Sequence, residues 1–204
     1  METNLKLFYH IFIDNKSSQT LFLLHGTGGS TGDFLFLNEL LEKKYNIVAL
    51  KGNVDENGMT RFFKRHALGV FDQENIKQEA EKLHKFITTW MEEHKITSEK
   101  LFFLGYSNGA NMLLATLFYY PNILKHLVLL HPMLPFKIKD HSLDLSNHKI
   151  FVSMGQYDEM VPKSQREELV ETLKSSGAKL TIKEYPGGHE IGEEEINDVV
   201  EFLI

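Results

Sequence analysis

Ser107 stands at the centre of Gly105-Tyr106-Ser107-Asn108-Gly109, a G-x-S-x-G pentapeptide. An apolar run, residues 101–104, precedes it, and an almost wholly apolar stretch runs from 110 to about 120. That context places the serine on a tight corner between a buried strand and a buried helix, with its hydroxyl held clear of the backbone. The flanking glycines suit a corner where two backbones draw close. The helix behind it directs its N-terminus at the serine and favours negative charge developing there. A serine hydroxyl is a weak nucleophile until a base takes its proton. His189, following Gly187-Gly188, is the candidate base, and Asp158 the candidate acid that orients it. The residues alone leave Glu159 as a rival acid, a helix-capping role for Asp158, and a plain surface-loop position for His189.

For these three to meet, the chain must bring several strand ends together. Residues 5–13 read as extended, 14–18 as a polar turn and 20–24 as a strand, an expected antiparallel hairpin at a sheet edge. Residues 33 to about 43 carry apolar residues at helical spacing, and 46–50 read as a short strand. Residues 51–72 show no clear periodicity, and so long a loop in a compact domain is often functional. Ile76, Ala80, Leu83, Ile87, Trp90 and Met91 form an amphipathic stripe that predicts a helix over 73–94. After the serine corner come strands at 126–130, 149–154 and 179–184, with a polar-rich connection at 133–148 and helices at 163–175 and 190–203. Gly177 marks a helix stop. Short apolar strands alternating with helices call for a mostly parallel sheet covered on both faces, and no linker or repeat divides residues 1–204. In such a sheet the loops at the carboxyl ends of strands gather on one edge, where Ser107, Asp158 and His189 can converge.

Composition narrows the field further. With 204 residues, 42% of them hydrophobic and 25% charged, the chain fits one ordinary soluble domain. The net charge is −6, with acids gathered near the C-terminus, and no dense Lys/Arg run offers a nucleic-acid surface. There is no cysteine, which removes disulfides, thiolate nucleophiles and cysteine-bound metal. Residues 1–18 lack the pattern of a signal peptide, and no apolar run reaches the roughly 18 residues of a membrane span, so cytoplasmic residence is the expectation. His10, His66, His84, His94, His126, His141 and His148 are expected to be solvated or at the core edge. None forms a metal-ligand spacing, so neither a metal nor a cofactor is expected.

Acyl transfer also requires N–H donors aimed at an oxyanion, each worth about 3 kcal/mol. The N–H of Asn108 is one candidate and that of Thr27, in His25-Gly26-Thr27-Gly28-Gly29, the other. The glycines of that loop are mis-spaced for G-x-G-x-x-G and no Walker lysine follows, which argues against a nucleotide site. Taken together, this loop, the serine pentapeptide with Ala110-Asn111, Gly155-x-x-Asp158-x-x-Val161-Pro162 and Gly187-Gly188-His189 resemble the phospholipase/carboxylesterase family of small α/β-hydrolases, relatives of acyl-protein thioesterases and bacterial carboxylesterases. The resemblance runs from about residue 20 to the C-terminus. Within 52–72 the chain is similar to an MhqD-like bacterial branch. The resemblance implies an α/β-hydrolase fold without a large lid domain, a chain order Ser, Asp, His for the triad, and a small-molecule ester or thioester substrate; a homodimer stays open.

The loop 51–72 is expected to wall the substrate pocket through Met59, Arg61, Phe62, Phe63 and Phe71, joined by Met133 and Met160; Leu68 adds apolar surface, and Lys64 and Arg65 add charge that could meet an anion. In the alternative, those aromatics pack beneath the loop and the charges are solvated. The expected activity is carboxylic-ester hydrolysis through an acyl-enzyme on small to medium apolar esters. Thioesterase or lysophospholipase action uses the same intermediate, carbon–carbon or peroxidase chemistry can use the same triad, and a binding protein can keep the fold without the reaction.

Overall fold

A computed structural model of the chain describes residues 4–137 and 143–204. His141 and the middle of the 133–148 connection lie outside the described residues. In chain order the elements begin with β1 (His10–Ile13), β2 (Thr20–Leu24), α1 (Leu37–Leu40) and β3 (Asn46–Leu50). Two small hairpins follow, β4 (Val54–Glu56) with β5 (Met59–Arg61) and β6 (Arg65–Ala67) with β7 (Val70–Phe71), and then the long α2 (Gln73–His94). The remaining elements are β8 (Leu101–Tyr106), α3 (Asn108–Tyr119), β9 (His126–Leu130), β10 (Lys149–Gly155), α4 (Lys163–Ser175), β11 (Lys179–Tyr185) and α5 (Glu193–Leu203).

Seven strands form one sheet in the order β1-β3-β2-β8-β9-β10-β11, parallel except for β1. Strands such as β2, buried at every position, are apolar throughout because both faces are covered. Phe22 and Leu24 join one core, with Leu83, Phe86 and Trp90 of α2, the apolar side chains of α3, and Leu169 and Leu173 of α4. Leu21 and Leu23 point to the other face, against Leu37 of α1 and against Val199 and Leu203 of α5. Each fully buried leucine contributes roughly 2 kcal/mol of transfer free energy. Helix α2 has the predicted bounds; the Asp72 carboxylate accepts from the Asn75 N–H at 3.0 Å at its start, and Lys95 ends it in a left-handed turn with φ 52°.

Three expectations need correction. β1 does not form a hairpin with β2: it pairs antiparallel with β3, Phe12 opposite Val48. The apolar β2 takes β3 and β8 as neighbours, and the half-buried β1 is left at the edge. The intervening turn crosses the end of β3, where Asn46 Oδ1 accepts from the N–H groups of Asn15 at 3.0 Å and Ser17 at 3.1 Å. The expected helix over 33–43 is a single turn, α1, because Glu42 and Lys43 adopt positive φ and close it early. Residues 51–72 form β4–β7 rather than an irregular loop.

The corner after β8 has no spare room. A Cβ on Gly105 would stand 2.7 Å from the Ala110 nitrogen, and one on Gly109 would stand 2.6 Å from the His25 carbonyl oxygen. Gly105→Ala must therefore push α3 off the sheet, at a cost of about 3 kcal/mol. The expected result is a melting temperature lower by about 6–12 °C by circular dichroism; an unchanged melt would show that the corner can accommodate a methyl group.

Candidate active site

Every loop that bears a predicted polar residue leaves the carboxyl end of a parallel strand: 25–33 after β2, Ser107 after β8, 131–135 after β9, 156–161 after β10 and 186–189 after β11. The sheet thus delivers them to one edge. Ser107 caps α3 with φ 50° and ψ −112°, a strained conformation for a residue bearing a Cβ. It is held there by its N–H donating to the Leu130 carbonyl at 2.8 Å and by its carbonyl accepting from the Asn111 N–H at 2.9 Å.

Its hydroxyl lies 2.7 Å from His189 Nε2, and His189 Nδ1 lies 2.7 Å from Asp158 Oδ2. The other Asp158 oxygen accepts from the N–H groups of Met160 at 2.8 Å and Val161 at 3.0 Å. Burial works against this carboxylate's charge, but His189 and the two N–H groups outweigh it and hold its pKa below the usual range. With Asp158 ionised, His189 carries its proton on Nδ1 and turns a basic Nε2 toward the serine. Glu159 is exposed and takes no part.

The N–H groups of Thr27 and Asn108 make no hydrogen bond among the described residues, and both residues line the same cleft as Ser107 and His189. The cleft is open to solvent, and its space together with the open volume at its mouth comes to about 360 Å³. Arg61, Phe71, Met133 and Met160 line it as expected, together with Arg65, Leu68 and Val161. Met59, Phe62 and Phe63 do not. Phe62 and Phe63 are fully buried under the hairpins, Phe62 tilted against the His25 ring at 4.8 Å and Phe63 edge-on to Phe71 at 5.2 Å. Met59 is 40% exposed, beside Gly28. For Phe62 and Phe63 the packing alternative holds, because the Phe62 N–H donates to Asn108 Oδ1 at 2.7 Å and fixes the segment inward.

The phospholipase/carboxylesterase family model matches residues 11–204. The chain belongs to that family. MhqD of Bacillus subtilis (strain 168) is 36% identical over 193 residues, spanning 95% of this chain and 96% of its own. A Bacillus cereus carboxylesterase superposes with a TM-score of 0.89 at 34% identity, over 99% of this chain and 98% of that one. A carboxylesterase from Mesorhizobium loti gives a TM-score of 0.89 at 27% identity, over 97% and 94% of the two chains. As a member of this family the chain is a hydrolase, with the mostly parallel α/β-hydrolase sheet. No helix of the described residues is long and apolar enough to cross a membrane.

Several residues of the site were not singled out from sequence. Tyr106 donates its hydroxyl to the His189 carbonyl at 2.6 Å, and the pKa of its half-buried phenol is pushed up to about 12, first by desolvation and then by Asp158 and Glu195. His25 is buried; its Nδ1 donates to the Gly26 carbonyl at 2.6 Å and its Nε2 accepts from the Gly52 N–H at 3.1 Å, fixing a neutral tautomer. Away from the site, before the amino end of β10, His148, expected to be solvated or at the core edge, is 2% exposed with Nε2 at 2.6 Å from the Pro121 carbonyl.

His131, at the end of β9, is buried with a carboxylate at each ring nitrogen. Nδ1 is 3.4 Å from Asp158 Oδ2 and Nε2 is 3.3 Å from Glu195 Oε2. Glu195, part of an acidic run that suggests only solubility, is 1% exposed. Burial alone lowers the His131 pKa, but Glu195 and Asp158 together raise it above its ordinary value. His131, Asp158 and His189 place potential metal-ligand atoms within 4.8 Å of one another. An ion there would have to break the 2.7 Å Asp158–His189 bond, so these atoms already satisfy one another.

Because the folded pKa of His131 lies above its unfolded value of about 6.5, its charge stabilises the fold at lower pH, and that contribution is lost as pH rises through the folded pKa. His131→Gln leaves two buried carboxylates without their cation and should cost about 3 kcal/mol near pH 6. Thermal melts of wild type and variant from about pH 6 to 9 should show a gap that narrows as pH rises. A gap constant with pH would mean that folding does not raise the His131 pKa.

Proposed function

We propose that this hydrolase is a serine carboxylesterase in which one domain, without metal or cofactor, works through an acyl-enzyme on Ser107. The observation that carries the reading is the unbroken relay Ser107 Oγ–His189 Nε2–Asp158 Oδ2, with both links at 2.7 Å. As Ser107 Oγ attacks the ester carbonyl carbon, His189 Nε2 takes its proton, and the resulting imidazolium faces the ionised Asp158. The carbonyl oxygen gains the negative charge and receives the free N–H groups of Thr27 and Asn108 at the start of α3. Collapse of the tetrahedral intermediate breaks the C–O bond to the leaving group, and His189 returns the proton to the departing alkoxide. Water then enters; His189 takes its proton, hydroxide adds to the acyl carbon, and Ser107 leaves with the proton restored, releasing the acid.

Leu68, Phe71, Met133 and Met160 supply apolar wall for the acyl group. The carboxylesterase names of the Bacillus cereus and Mesorhizobium loti proteins support an oxygen-ester substrate. Acyl-thioesters and lysophospholipids would pass through the same intermediate, and a panel of both beside p-nitrophenyl esters of graded length ranks the leaving groups.

Wild type should turn over p-nitrophenyl acetate and butyrate. Ser107→Ala should lose roughly six orders of magnitude in kcat, and Asp158→Asn about four. A fluorophosphonate probe should label wild type at Ser107 and leave Ser107→Ala unlabelled. Unchanged turnover in Ser107→Ala would remove the serine from the reaction, and a folded wild type that resists the probe would favour a binding role instead.

A further inference from the structure

The reaction assigns no task to one charged side chain of the cleft. Arg61 is only 2% exposed, yet it lines the cleft with Ser107 and Thr27. Its Nε donates to the Phe63 carbonyl at 3.1 Å and its Nη1 to Thr27 Oγ1 at 2.5 Å, with the guanidinium 5.5 Å from the centre of the Phe63 ring. All of these partners are neutral. Burial, then the neighbouring Arg65, bring its pKa down to about 10, so it stays charged at neutral pH.

Among the described residues no carboxylate comes within 4.0 Å of it, and its Nη2 makes no hydrogen bond. Glu56, the acid on the same pair of hairpins that feels its charge, is taken by Arg65, whose Nε lies 3.0 Å and Nη2 2.7 Å from the two Glu56 oxygens. Arg65 lines the cleft as well, and none of the described lining residues is Asp or Glu. Asp158 and Glu195 face His131, behind the cleft wall. A chain of net charge −6 has therefore built a cleft wall of the opposite sign. A buried guanidinium with neutral partners and a donor left over is the arrangement that receives an incoming anion, and its planar fork matches a carboxylate.

We propose that Arg61 binds a carboxylate on the substrate, so that the enzyme prefers monoesters of short dicarboxylic acids to neutral esters. The proposal rests on the ester-hydrolase reading and narrows it to a substrate class. In the reaction, monoester and water give the free dicarboxylate and the alcohol, with one proton released. The apolar wall of Phe71, Met133 and Met160 takes the methylene chain, and Arg61, tethered to Thr27, holds the far carboxylate while the ester lies over Ser107.

Wild type should hydrolyse monoethyl adipate with a kcat/KM roughly tenfold or more above that of ethyl adipamate, its neutral amide counterpart, and added salt should narrow the ratio. Calorimetric titration of adipate and succinate into Ser107→Ala protein should show binding, and adipamide should show none. Arg61→Gln in that background should abolish the dicarboxylate signal and Arg61→Lys should weaken it. Equal kcat/KM for the two adipates, or equal binding of adipate and adipamide, would overturn the proposal; both comparisons need only protein that retains Arg61, so they stand if Arg61→Gln fails to fold. If no ester is turned over at all, the hydrolase reading fails, while the titration still decides whether Arg61 is an anion site.

Discussion

The site depends on a single backbone corner. Ser107 is held at φ 50° with a Cβ present, a conformation that costs of order 1–3 kcal/mol and survives only because the surroundings impose it. The side chains on either side of the corner pass that constraint on. Tyr106, one residue before, holds the His189 loop through a 2.6 Å bond to its carbonyl. Asn108, one residue after, holds the hairpin segment at Phe62, and Asn111 Oδ1 accepts from the Met133 N–H at 2.7 Å. The corner that presents the hydroxyl therefore also fixes the His189 loop and two walls of the cleft.

Two buried contacts run behind the relay, Glu195 to His131 and His131 to Asp158, and join it at the Asp158 carboxylate. A carboxylate at the depth of Asp158 tends toward neutrality, which would weaken its 2.7 Å contact with His189. His189 and two backbone N–H groups from the turn before α4 keep it ionised. His131 needs its own compensation, because a buried imidazolium is costly alone, and Glu195 from the first turn of α5 provides it. The C-terminal helix thus supports the site electrostatically, in addition to covering one face of the sheet.

The parallel sheet, the long helix 73–94 and the positions of Ser107, Asp158 and His189 could be read from sequence because each leaves a local signature. Short apolar runs mark strands buried on two faces, a stripe at 3.6-residue spacing marks α2, and glycine-flanked polar residues mark strand ends. The edge pairing of β1 was not legible, since it is decided by which neighbours β2 accepts. Phe62 and Phe63 read as pocket residues because composition does not distinguish an aromatic beneath a loop from one facing outward. Glu195 did carry a signal: it precedes Val199 by four residues and Leu203 by eight, on the buried face of α5, unlike Glu193 and Glu194 beside it. The partnership of His131 with two acids had none, because it joins the end of β9, the loop after β10 and the start of α5.

The hairpins of 54–71 are fastened to the glycine-rich loop after β2 at several points. The Gly28 N–H donates to the Thr60 carbonyl at 2.8 Å, the Gly52 N–H to His25 at 3.1 Å, and Arg61 to the Thr27 hydroxyl at 2.5 Å. The wall that would choose the substrate and the Thr27 N–H that would receive its oxyanion are therefore one mechanical unit. Contacts made by a remote part of a substrate then act on the geometry of the donors as well as on binding, which is how recognition far from the scissile bond is expressed in kcat. Arg61 is where the two roles meet, since the same guanidinium holds Thr27 and faces the cleft. An anion resting on that group would tighten the arm that positions the donor, and so couple the choice of substrate to the chemistry at Ser107.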